Sequence, residues 1–133
     1  MTQYMLDTNT VSHLVRANPE VTQRVVDVPM ESLCISSITS GEILFGLAKR
    51  PHAKNLHNIV REFLVRVDVL PWDGAVSERY GSLRADMEKT GKILAALDML
   101  IASHALNTDS TLVTNDRAFS QVPELQLEDW TLR

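Results

Sequence analysis

The chain has a single cysteine, Cys34, in 133 residues. One thiol excludes an internal disulfide and any zinc site built on several cysteines, and it points to a reducing, cytoplasmic setting. Cys34 lies in the apolar run Leu33-Cys34-Ile35, where a free cysteine acts as a small buried hydrophobe. Aromatic residues make up only 5%, too few for a platform on which bases stack. No apolar stretch approaches the ~18 residues that cross a bilayer. Residues Met1 to Asp7 lack a basic region followed by a long apolar one, so they do not read as a secretory signal. Positive charge is also in deficit, with a formal net charge of −4. That weighs against holding nucleic acid by a general positive field, unless bound divalent cations reverse the sign locally.

What is present suits a folded domain. Hydrophobic residues make up 44% and charged residues 23%, the balance of a globular protein, and the length suits one domain spanning 1–133. There is no repeat, linker or low-complexity segment. Tyr4-Met5-Leu6, Leu33-Cys34-Ile35-Ser36, Val67 to Leu70, Thr111 to Thr114 and Leu125-Gln126-Leu127 read as short strands. Between them lie helical patterns at Thr8 to Arg16, Glu20 to Val28, Ser37 to Arg50 and Ala53 to Val67. A further helix runs from Gly74 to Lys89, capped by Asp73 and closed at Gly91. Strands alternating with helices predict an α/β fold, a three-layer sandwich around a mainly parallel sheet. In such sheets, sites form beyond the carboxyl ends of the strands.

One carboxylate is out of place. Asp98 sits in the run Ile93 to Leu106, which reads as a helix, with Leu94, Ile101, Ala102 and Ala105 as its helical neighbours. No Lys or Arg lies within five residues of it on either side. A buried ionised carboxylate must be neutralised, ion-paired or bound to a metal. Other acids converge on the predicted strand ends. Asp7 ends the first strand, Glu42 lies on the helix after the second, and Asp116 follows the fourth. Each also has a purely structural reading. Asp7 could cap the helix at Thr8, Thr39-Ser40-Gly41-Glu42 fits a capping box, and Asp116 is a common turn residue. Taken together, clustered carboxylates need a cation, and oxygen-only ligands select hard ions such as Mg²⁺ or Mn²⁺.

With those residues in view, the chain resembles the PIN-domain ribonucleases, and among them the VapC-type toxins of toxin–antitoxin pairs. The resemblance rests on Met5-Leu6-Asp7-Thr8-Asn9-Thr10, on Ile35 to Gly46 around Glu42, on Leu97 to Ala105 around Asp98, and on Leu112 to Phe119 around Asp116. The tail Leu127-Glu128-Asp129-Trp130 is similar as well. The resemblance implies a Mg²⁺-dependent endoribonuclease, with Mn²⁺ able to substitute. It implies that Asp7 and Asp98 hold the metal directly and that Glu42 and Asp116 complete the acidic pocket. Thr8, Asn9 and Thr114 would then orient carboxylates or water. It also implies an RNA substrate (initiator tRNA, at its anticodon stem-loop), a VapB-type antitoxin partner and a homodimer. The chain departs from the family pattern at Gly91-Lys92-Ile93-Leu94-Ala95-Ala96-Leu97-Asp98. There the relatives carry a proline, and often a glycine, before the acid. Without that proline the helix is expected to begin a turn earlier.

Basic residues are sparse. Lys49, Arg50 and Lys54 cluster at a helix–helix turn, and Arg84, Lys89 and Lys92 form a looser group. Lys49, Arg50, Lys54 and Lys92 are the candidate phosphate contacts, although cations at a helix C-terminus are also favourable in their own right. The helices carrying Leu44, Phe45, Leu47, Leu56, Ile59 and Phe63 have more apolar residues than one buried face requires, which suits core packing or a groove for a partner helix. The histidines (His13, His52, His57, His104) share no ligand spacing and read as surface or core residues. Two other classes compete with a nuclease. One is a PIN scaffold that binds protein without catalysis. The other is a phosphoacceptor domain with Asp7 as nucleophile, which in its common form wants an acid where Asn9 stands.

Overall fold

The computed structural model describes residues 1–132. Its elements follow in the order β1 (Tyr4–Leu6), α1 (Thr8–Val15), α2 (Pro19–Asp27), β2 (Leu33–Ser36), α3 (Ser37–Ala48), α4 (Lys54–Arg66), β3 (Asp68–Leu70), α5 (Gly74–Lys89), α6 (Ala96–Asn107), β4 (Thr111–Val113) and β5 (Leu127–Glu128). Short 3-10 turns at Met30–Ser32 and Arg117–Gln121 complete the path. The sheet has the order β3-β2-β1-β4-β5 and every neighbouring pair is parallel. The expected parallel α/β sandwich is therefore the one found.

Strand alternation sorts the core into two halves. Met5, Cys34 and Leu112 face α5 and α6, where they pack with Leu83, Met87, Ile101 and Ala105. Leu6, Leu33, Ile35 and Val113 face the other way, onto Val11, Val21, Val67 and Trp130. Each of these large side chains, once buried, contributes roughly 1.5–3 kcal/mol. Cys34 is fully buried, and burial pushes its thiol up to about 12, so it is inert packing.

Strand order decides where a site can form. From β1 the chain winds outward through β2 and β3, then returns to place β4 on the other side of β1. That reversal opens a crevice at the carboxyl ends of β1 and β4. The Asp7 amide donates to the Val113 carbonyl at 3.1 Å, and the Thr10 hydroxyl donates to the same oxygen at 2.9 Å. The start of α1 is thus fixed to the end of β4.

Three local expectations are corrected. The first is the start of α6, which begins only at Ala96. Helix α5 ends with Gly91 at φ 72°, with the Lys92 amide on the Met87 carbonyl (2.9 Å) and the Gly91 amide on the Glu88 carbonyl (3.1 Å). That closing motif turns the chain out of helical register. Leu94 is buried, but it comes from the intervening loop, so burial mimicked helical periodicity. Asp98 consequently stands in the first turn of α6 rather than in the middle of a longer helix. The second is the capping box at Thr39. Ser36 ends β2 and is itself the cap of α3, its hydroxyl accepting from the Ile38 amide at 3.1 Å. Thr39 and Glu42 lie inside that helix. The last strand also lies slightly later than expected, at Leu127–Glu128 rather than from Leu125.

Candidate active site

Asp7 is buried at 4% exposure. It caps α1, accepting from the Thr10 amide at 2.8 Å. Its structural role and its place at the sheet edge coexist. Burial pushes its carboxyl above the ordinary range; hydrogen bonds from Thr114 and Thr10 oppose this and the Asp116 charge adds to it. Asp116 begins the 3-10 turn after β4, accepting from the Ala118 amide at 2.9 Å, while its own amide donates to the Thr114 hydroxyl at 3.0 Å. Thr114 therefore serves both acids that flank the β1–β4 crevice.

Glu42 reaches the site from the second turn of α3. The Thr8 hydroxyl donates to its Oε1 at 2.6 Å, so α1 aims this carboxylate. Asp98 is half-buried, and among the described residues it has neither a hydrogen bond nor an ion pair. Its carboxyl is raised by burial first, then by the charges of Asp116, Glu42 and Asp7. The site's acids thus lie within electrostatic reach of one another. Among the described residues, however, no three acidic, His or Cys side chains are gathered closely enough to hold one ion.

The residues present fit a hard divalent cation. Every donor is oxygen, and Asp98 is unpartnered among the described residues. Thr39, one turn before Glu42 on α3, has a fully buried hydroxyl with no protein partner, the kind of group that water satisfies. Asn9 is exposed on α1, and its side chain makes no hydrogen bond among the described residues.

A cleft of about 260 Å³ runs between α1, α3 and α4 and opens beside Thr8 and Glu42. Val11, Val15, Ile43, Leu47, Leu56 and Val60 line its walls, and Arg16, Lys49 and Arg50 stand at its rim. Lys49 also lies over the Phe45 ring at 4.6 Å. Lys54 is exposed and outside this cleft, and Lys92 lines a separate one of about 150 Å³ with Tyr80, Arg84 and Glu88. Sequence reasoning missed Arg16, which ends α1 one helical turn from Ser12. It also missed Trp72, although Trp72 follows β3 at the same sheet edge as the acids.

A parallel α/β sheet with carboxylates drawn to its switch point defines a class of proteins with an acidic, oxygen-only site. The PIN domain profile matches residues 4–125. The chain is 31% identical over 132 residues, 98% of its length and 100% of the relative's, to the tRNA(fMet)-specific endonuclease VapC of Shigella flexneri. The crystal structure of DNA-bound VapBC from Salmonella typhimurium superposes with TM-score 0.89 at 32% identity, covering 98% of this chain and 99% of that one. That of VapBC2 from Rickettsia felis, bound to a promoter DNA fragment, gives 0.88 at 31%, covering 97% and 99%. The chain belongs to the PIN-domain family, in its VapC branch.

Proposed function

We propose that this chain is the toxin of a VapBC-type pair, a Mg²⁺-dependent endoribonuclease that hydrolyses a phosphodiester in structured RNA. The observation that carries the reading is Asp98, a half-buried carboxylate without a partner that feels three other acids. The name of the Shigella relative supports initiator tRNA as the substrate, cut in its anticodon stem-loop. The solved VapBC assemblies support a VapB-type antitoxin as partner; a homodimer of the toxin is part of the same proposal. The cleft between α1, α3 and α4 suits an amphipathic antitoxin helix, because its walls are apolar and it ends at Glu42.

In this mechanism Asp7 and Asp98 would hold the ion, and Glu42 and Asp116 would complete the pocket. When bound, Mg²⁺ lowers the pKa of a water and neutralises charge on the phosphate. The chain's residues do the rest. Thr8 holds Glu42 in one orientation, and Thr114 holds the Asp7–Asp116 edge. Lys49, Arg50 and Arg16 at the cleft rim contact the RNA backbone, with Lys54 and Lys92 further out. Shape and phosphate contacts, rather than base stacking, select the RNA.

The test is cleavage of total tRNA by purified chain freed of partner, with Mg²⁺, with EDTA and with Asp98→Asn. Discrete fragments that require Mg²⁺ and fall by more than ~100-fold in the variant are expected, since even supporting groups around a metal matter up to that much. Fragments that persist in EDTA or in Asp98→Asn would sink the carboxylate–metal reading.

A further inference from the structure

Asp98 stands near the start of a helix that is poorly fixed from within. Ala95, the residue before α6, supplies no side-chain cap. The chain leading in, residues 92–95, has no regular structure. Something else must hold this turn at a set distance from α3, which carries Glu42.

Trp72 does so. It follows β3 and is half-buried. Its indole Nε1–H donates to the carbonyl of Leu100 at 3.0 Å, two residues beyond Asp98. Its backbone N–H donates to the Ser37 hydroxyl at 3.1 Å, in the first turn of α3. Its ring meets Tyr80 of α5 edge-on at 6.0 Å. One residue therefore ties the helix of Asp98 to the helix of Glu42. A second tie lies one turn along α6, where His104 Nδ1 stands 2.7 Å from Ser36 Oγ. The two ties join Leu100 and His104 on α6 to the adjacent residues Ser37 and Ser36. The tie nearer the site runs through the indole N–H.

We infer that Trp72 is a positioning residue that sets the separation of the Asp98 and Glu42 carboxylates, and with it the affinity for a divalent cation. The inference rests on the acidic site proposed above. A carboxylate in an uncapped first turn moves with the backbone that bears it, so releasing Leu100 loosens Asp98 without touching any acid. Groups that orient metal ligands typically matter 10–100-fold in affinity.

The experiment is Mn²⁺ titration by calorimetry on the full chain and on Trp72→Phe, which keeps an aromatic ring against Tyr80 and removes the donor. Melting in EDTA is measured alongside. Mn²⁺ binding weakened about 10-fold in Trp72→Phe, with melting in EDTA near that of the parent, is expected. Equal Mn²⁺ affinity in the two proteins overturns the inference, as does a loss confined to melting temperature. Absence of Mn²⁺ binding in the parent itself overturns the site reading instead. Should Trp72→Phe not fold, Ser37→Ala carries the same test. It removes the anchor on α3 and leaves the indole in place, and unchanged affinity there counts against the tie.

Discussion

Asp98 and Glu128 are both carboxylates at the carboxyl edge of the sheet, and they are treated in opposite ways. Glu128 Oε1 accepts from Arg24 at 2.8 Å and from the Trp130 indole at 3.0 Å. Arg24 also lies over the Trp130 ring at 5.3 Å, and the Tyr4 ring lies tilted against that indole at 5.2 Å. Asp98 has burial, three acidic neighbours and, among the described residues, no donor. A fold able to satisfy one acid so fully has left the other unsatisfied. The first arrangement closes the end of the sheet, and the second leaves a repulsion that a cation would relieve.

Breaking the satisfied end has the largest expected effect. Trp130 is 1% exposed, and Trp130→Ala removes a buried ring and the Glu128 donor together. A loss of about 3–5 kcal/mol in unfolding free energy follows, read by denaturant titration. A loss below ~1 kcal/mol, the scale of a surface ion pair, would mean the cluster is an ornament of the surface.

Next in size is Thr8→Val, which preserves shape at the other end and removes the hydroxyl that holds Glu42. Cleavage is expected to fall about 10-fold with melting nearly unchanged. Unchanged cleavage would place Glu42 outside the working site.

The smallest effect concerns stability against pH. Burial and neighbouring acids raise the Asp98 carboxyl, and burial raises that of Asp7. The folded chain therefore binds their protons more tightly than the unfolded chain does. Stability from these groups is greatest below the ordinary carboxylate value of about 4 and declines as pH rises through their raised folded values. Asp98→Asn in EDTA should flatten that decline and raise the neutral-pH melting temperature by up to about 4 °C. A lower melting temperature in the variant would reveal a hidden partner for Asp98 and erase the contrast with Glu128.

Much of this was legible in the sequence, for identifiable reasons. Leu33–Ser36 and Gly74–Lys89 were bounded correctly, because an apolar β-rich run and an Asp73–Gly91 cap pair are local signals. The acids at strand ends were legible because a parallel sheet sends all its carboxyl ends to one edge. The start of α6 was not, since Leu94 is buried from a loop and supplies the same apolar spacing a helix would. The true cap of α3 was hidden among Ser36, Ser37, Thr39 and Ser40, any of which can cap; only the end of β2 decides between them. The Trp72 tie was invisible because it joins three elements whose packing no local pattern records.

The parallel pairing of β1 with β4 has a consequence for the chain in time. Thr10 and Val113, which bond across the site, are 103 residues apart in sequence. Asp7 is made long before β4, the strand whose end fixes it. Asp7, Glu42 and Asp98 are all made before β4, so none of them has the completed sheet edge until that strand is in place. The acidic site is thus a late product of synthesis, and a chain truncated before β4 would lack it.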